Sequence, residues 1–151
     1  MVTDHSYIAT VGNNKTEASA VQFLLKSDPR FVVPDREQRK EILKRFDLPM
    51  TFSRAFDLVY LPEGVSSIVI CPIRDLVLVE LKTTQKKLVN NPDGFFFGAT
   101  ENEFHLADTL GAQYMFCFVS LHAESIGYVM LSSAELNNRI KTKRLQYQIN
   151  I

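Results

Sequence analysis

Apolar residues recur along this chain in two rhythms, and the change from one to the other marks out its elements. In Thr16-Glu17-Ala18-Ser19-Ala20-Val21-Gln22-Phe23-Leu24-Leu25 the apolar positions 20, 21, 24 and 25 follow helical spacing, and Asp28-Pro29 ends the run. Residues 1–13 ahead of it read as a polar arm. Phe31-Val32-Val33 has the makings of a short strand. Beyond Pro34, Asp35 is placed to cap a second helix running from Glu37 to Phe46. Ile42, Leu43 and Phe46 give that helix one apolar stripe, Arg36, Arg39, Lys40, Lys44 and Arg45 make the rest basic, and Pro49 stops it.

The rhythm then shortens. Phe56-Asp57-Leu58-Val59-Tyr60-Leu61, Ser67-Ile68-Val69-Ile70-Cys71 and Leu76-Val77-Leu78-Val79-Glu80-Leu81-Lys82 are rich in β-branched residues and separated by turn chemistry such as Pro62-Glu63-Gly64. They predict an antiparallel meander. Asn90-Asn91-Pro92-Asp93-Gly94 signals a loop. Thr100-Glu101-Asn102-Glu103 is a capping box opening a helix to Leu110, with Gly111 suited to its left-handed end. Tyr114-Met115-Phe116-Cys117-Phe118-Val119 is almost wholly apolar, as a strand covered on both faces must be. Ser132 or Ser133 opens a short helix with Glu135 and Leu136, and the alternation in Leu145-Gln146-Tyr147-Gln148-Ile149 predicts a last strand. The expectation is one α/β (α+β) domain over residues 1–151, with a central mixed β-sheet flanked by helices.

Composition narrows the function. Lys+Arg and Asp+Glu are both 17, so the formal net charge is +0, which argues against holding nucleic acid by bulk charge and leaves room for local basic faces. Cys71 and Cys117 lie inside apolar runs, which favours two buried thiols and leaves a disulfide open. No Cys or His spacing suits zinc. The N-terminal MVTDHSYIATVG lacks a basic stretch followed by an apolar one, and no apolar run is long enough to span a bilayer, so a cytoplasmic, membrane-free protein is expected.

The candidate chemistry lies in Val79-Glu80-Leu81-Lys82-Thr83-Thr84. Period two puts Glu80 and Lys82 on one face of the strand and Leu81 on the other. Charges leaving so apolar a strand are costly to bury unless paired or bound to a ligand. If the meander brings Asp57 alongside, Asp57 and Glu80 converge on one point. Two carboxylates suit Mg²⁺, with Mn²⁺ as substitute, and such a cation polarises a phosphate and acidifies a water. Lys82 beside them would orient or deprotonate the attacking water and stabilise charge on phosphorus.

This pattern resembles the PD-(D/E)XK nuclease superfamily, which includes type II restriction endonucleases and Holliday-junction resolvases. The resemblance runs from Phe56-Asp57-Leu58-Val59-Tyr60 through Val79 to Thr84 and Thr100-Glu101-Asn102-Glu103-Phe104 to the strand Tyr114 to Val119. It is similar to a subgroup often fused to helicases or found in restriction systems, with an E-V-K-T/S-T strand, a T-x-N-E helix and an apolar strand in that order. It implies a restriction-endonuclease-like sheet and a Mg²⁺-dependent endonuclease of DNA in restriction, repair or defence. Asp57 and Glu80 would be metal ligands, Leu81 would lend its carbonyl, and Lys82 would be the catalytic lysine. Glu17, on the first helix, would be an additional acidic member. A homodimer or a subunit of a larger assembly, associated with DNA, is implied as well. Phe56 stands where proline is common in the superfamily. If Ser67 to Cys71 is the true partner of the Glu80 strand, Asp75 replaces Asp57. Asp57 is preferred, because Asp75 would lie at the far end of the same strand as Glu80.

Competing readings remain for each feature. Glu and Lys on one strand face are commonly a simple pair, and Glu17 in a first helical turn suits the helix dipole. Glu103 is explained as the capping partner of Thr100 and is placed outside the site. Lys86 and Lys87, directly after the motif, and Arg36, Arg39 and Lys40 on the second helix are candidate phosphate contacts, as is the tail Lys141, Lys143 and Arg144. Phe95-Phe96-Phe97 is core rather than a stacking platform, and His105 a surface or half-buried residue. The alternative function is a catalytically inactive nucleic-acid-binding or protein-interaction module on the same fold.

Overall fold

The computed structural model describes the backbone of residues 4–151 and the side chains from Lys15 onward. Its elements follow as α1 (Asp4–Ser27), β1 (Phe31–Val32), α2 (Arg36–Arg45), β2 (Leu58–Tyr60), β3 (Val77–Thr84), α3 (Glu101–Leu110), β4 (Tyr114–Ser120), β5 (Gly127–Ser132) and α4 (Ser133–Asn137). The strands form one sheet in the order β1-β2-β3-β4-β5. β1–β2, β2–β3 and β4–β5 are antiparallel, whereas β3–β4 is parallel. A parallel neighbour needs a crossover, and α3 supplies it. The protein is therefore a mixed α+β domain with a helix-flanked mixed sheet.

Period two along β3 divides two cores. Val79 and Leu81 face α1 and pack with Ala20, Leu24, Leu58, Cys117 and Val119. Leu78 faces the opposite way, into a larger core with Ile42 and Leu43 of α2, Leu106 and Ala107 of α3, and Leu136 of α4. Glu80 and Lys82 share the parity of Leu78 and so point toward α3. The central strands are covered on both faces, which accounts for the near-continuous apolar sequence of β4.

Several expectations change. α1 begins at Asp4 and runs through the segment expected to be a polar arm, of which only the backbone is described. Residues 67–71 form turns, not a strand. Ile68 and Cys71 are buried while Val69 and Ile70 face out, and Arg45 donates to the Ile68 and Cys71 carbonyls in place of a neighbouring strand. The predicted strand Leu145 to Ile149 does not form, since those residues meet no partner strand and stay exposed. β5 was not foreseen, because the run Tyr128-Val129-Met130-Leu131 lacks both alternation and β-turn punctuation as clear as that around the earlier strands. Gly111 does end α3 with positive φ, but its ψ of -122° lies outside the left-handed helical region. Both cysteines are buried free thiols.

Candidate active site

Asp57 sits where β2 stops pairing in the ordinary way. Its backbone N–H donates to the Val79 carbonyl at 2.8 Å, and its Oδ2 accepts from the Leu81 N–H at 2.8 Å. The side chain thus occupies the ladder position that a further β2 residue would have taken. Glu80 lies between those two anchor points, so the two carboxylates are neighbours by construction. The segment leading to Asp57 is itself clamped. Arg39 donates to the carbonyls of Ser53, Phe56 and Asp57, and the buried Tyr114 hydroxyl donates to Ala55 O at 2.5 Å.

Glu80 is 6% exposed. Its Oε1 accepts from Lys82 Nζ at 3.3 Å, and its Oε2 is buried with no N–H or hydroxyl donor, so the only group within hydrogen-bond range of the carboxyl besides Lys82 is the Asp57 carboxyl, through a shared proton. Burial, and then the Asp57 charge, push the Glu80 carboxyl up to about 9. Burial also raises Asp57, opposed by the Leu81 N–H. At neutral pH the pair therefore retains a proton unless a cation compensates it. Burial works against the charge on Lys82, but Glu80 and Glu103 outweigh it and hold the ammonium above its ordinary value.

Glu103, which the sequence left outside the site, belongs to it. Lys82 Nζ donates to Glu103 Oε1 at 2.6 Å, and Thr100 Oγ1 donates to Glu103 Oε2 at 2.8 Å. Thr100 Oγ1 accepts from the Glu103 N–H at 3.2 Å, so the Thr100 cap forms as expected, but the capping box does not: the Glu103 carboxylate takes Lys82 and the Thr100 hydroxyl in place of the Thr100 backbone N–H. The remaining signal in the sequence was that Glu103 is an acid one helix away from a buried-looking Glu-x-Lys strand.

Glu17 lies on α1 with its side chain exposed, and partial desolvation against the site, then the Asp57 charge, raise its carboxyl, with Lys82 opposing. It is thus within electrostatic reach of both. Thr16 accepts from Gln85 at 2.8 Å, which ties this turn of α1 to the end of β3. Asp75 is exposed beside Arg74, at the opposite end of β3, so Asp57 is the acid that meets Glu80. Leu81 brings its backbone into the site and its side chain into the α1 core.

The basic candidates divide. Arg36, Lys40, Lys86 and Lys87 are exposed, with Lys40 near Glu37 at 3.5 Å and Lys87 on Glu124 at 2.7 Å. Arg39 is corrected. It is half-buried, its guanidinium is engaged by three carbonyls and lies 5.0 Å from the Phe56 ring centroid, and it holds the Asp57 segment rather than facing solvent. In the tail, Lys143 sits over the Phe104 ring at 4.4 Å. Phe95 and Phe97 pack edge-on against Phe118, as core residues do, while Phe96 is exposed. His105 is exposed and edge-on to Phe52.

Among the described residues no three His, Cys, Asp or Glu side chains gather into a ready-made metal cage. What the site offers is smaller: Glu80 Oε2, without an N–H or hydroxyl donor, beside the Asp57 carboxyl. One or two carboxylates, completed by water and phosphate, is the donor set that Mg²⁺ commonly takes. No protein-family model matches the chain, and comparison with curated proteins and with solved structures returns no match. No helix among the described residues is long and apolar enough to cross a membrane.

Proposed function

We propose that this chain is a metal-dependent phosphodiesterase acting on nucleic acid, with DNA as the expected substrate. The observation that carries the reading is the buried Glu80 carboxyl, its Oε2 without an N–H or hydroxyl donor, set beside Asp57 and within 3.3 Å of Lys82. Two buried carboxyls held side by side retain a proton at neutral pH, and a cation between them would offset the cost of ionising both. The order of the Asp57 strand, the Glu80–Lys82 strand, α3 and the apolar β4 also accords with the resemblance to PD-(D/E)XK nucleases, and hence with a restriction-endonuclease-like fold.

In this reading Asp57 and Glu80 would hold Mg²⁺, with the Leu81 carbonyl as a further donor, while Glu17 would act on the ion through its charge from α1. The bound cation supplies electrostatic stabilisation of the phosphate and a more acidic water. Lys82, held as an ammonium, stabilises negative charge accumulating on phosphorus. Because its proton is held firmly by two carboxylates, Lys82 serves as an orienting cation rather than as the base. Lys86, Lys87, Arg36 and Lys40 are exposed to meet the phosphodiester backbone. The setting implied by the resemblance is restriction, repair or defence, as a homodimer or as part of a larger assembly near DNA.

A second reading has its own observation. The 2.6 Å contact between Lys82 and Glu103 is a good ion pair without any ligand, which favours a cluster that neutralises itself in an inactive binding module. Cleavage of plasmid and single-stranded DNA with Mg²⁺ or Mn²⁺ separates the two. Wild type should cut, and folded Glu80→Ala and Lys82→Ala should lose ~100- to 1000-fold in rate. A wild type inert on every substrate and silent in Mn²⁺ calorimetry would remove the enzyme reading. Lys82→Ala melting well below wild type, with no activity to lose, would mark a structural pair.

A further inference from the structure

Two glutamates touch Lys82, and their other oxygens have different fates. Glu80 keeps Oε2 without an N–H or hydroxyl donor, whereas Glu103 has Oε1 on Lys82 and Oε2 on the Thr100 hydroxyl. The contrast with the other helix starts sharpens the point. At α2 and α4 the third-position side chains, Gln38 and Glu135, fold back onto the backbone N–H of their cap residues Asp35 and Ser132. At α3 the cap hydroxyl accepts from the Glu103 N–H as usual, but the Glu103 carboxylate does not close the box. It turns to the sheet and takes Lys82 instead. Glu103 and the Lys82 side chain are both about as buried as Glu80, at 8% to 10% side-chain exposure.

We propose that Glu103 is the positioning residue of this site: it anchors Lys82 from the start of α3, and by doing so leaves the Glu80 carboxylate free for the cation. The proposal rests on the phosphodiesterase reading for its catalytic consequence, though not for the anchoring itself. A lysine ammonium has three N–H donors. Glu80 and Glu103 take two, at 3.3 and 2.6 Å, and so fix the direction of the third. Because the Glu103 contact is the shorter, the ammonium is drawn toward α3. Thr100 sets the rotation of the Glu103 carboxylate, so the chain Thr100–Glu103–Lys82 transmits the position of a helix terminus to the reacting face of β3. Glu103 acts through Lys82: each of its oxygens already has a donor, whereas Glu80 Oε2 has none.

The test compares wild type with E103Q and E103D, each checked for folding by circular dichroism. Lys82 modification by acetic anhydride is followed by mass spectrometry against exposed Lys86 in the same chain, alongside Mn²⁺ affinity and cleavage kinetics. Lys82 should be shielded in wild type and labelled severalfold faster in E103Q, with E103D between them. E103Q should lose ~10- to 100-fold in kcat, the usual scale for a supporting-residue change, with KM unchanged and Mn²⁺ affinity lowered far less than in E80Q, as Lys82 is released toward Glu80. Labelling of Lys82 indifferent to residue 103 overturns the proposal. So does a loss of Mn²⁺ affinity in E103Q as large as in E80Q, which would make Glu103 a cation ligand. A wild type that cuts nothing bears against the phosphodiesterase reading, while the labelling contrast still decides the anchoring.

Discussion

The middle of β3 and the C-terminal residues 145–151 invert each other. β3 carries a glutamate and a lysine into the interior, with Glu80 6% exposed, yet it is the longest strand of the sheet and is paired on both sides. The tail alternates Leu145, Tyr147 and Ile149 with polar residues as a half-buried strand should, yet those three are 74% to 82% exposed and no strand forms. Alternation is a local property; a strand is a relation between neighbours. β3 has β2 on one side and β4 on the other, and that setting is strong enough to hold two charges that oppose burial. The tail has the pattern without the setting.

Breaking the comparison from the β3 side should have the largest effect. Leu78→Ala removes a fully buried side chain from the larger core and should cost about 2–5 kcal/mol in urea unfolding; a loss under 1 kcal/mol would mean β3 is not the central strand described. A smaller effect should come from the carboxylate pair. Glu80 has its folded-state pKa raised to about 9 from an ordinary 4.5, so the stability its neutral form permits is present at low pH and is lost as pH rises between those values. Wild type should therefore melt progressively below Glu80→Gln across that window, by several degrees at ~2–4 °C per kcal/mol, and added Mg²⁺ should close the gap. Parallel melting curves from pH 5 to 9 would show that Glu80 is not a strained acid. The smallest effect belongs to the tail, where Leu145→Ser, Tyr147→Ser and Ile149→Ser should each shift stability by less than about 0.5 kcal/mol. A larger loss at Tyr147 would reveal packing that its 74% exposure denies.

Much of this molecule could be read from its residues, and the exceptions have physical causes. β3, β4, α2 and α3 declared themselves because propensity, punctuation and burial agree there, down to the cap residues Asp35 and Thr100. The approach of Asp57 to Glu80 was legible only as a condition, since it depends on the register of two strands. Glu103 was missed for a different reason. A sequence offers one sufficient explanation for it, the cap, and the second appears only when α3 is laid over the sheet. Arg39 was misread in the same way: among five basic residues on one helix, only packing shows which one turns inward to the carbonyls before Asp57. Ser67 to Cys71 looked like a strand because its side chains suit one, but it forms turns, with Arg45 donating to the Ile68 and Cys71 carbonyls and no strand beside it.

The carboxylate of Asp57, standing in the ladder opposite Leu81, ties the site to the alignment of the whole sheet. Shifting β3 by one residue would turn Glu80 and Lys82 onto the α1 side, into the apolar core around Ala20 and Leu24 and away from Glu103. The same shift would present Asp57 with the wrong amide. The polar cluster is therefore a vernier for the apolar core. Side chains such as Leu78 and Val79 would tolerate many approximate packings, but only one alignment places Asp57, Glu80, Lys82 and Glu103 within reach of one another, and chains that close on any other bury two charges away from Glu103.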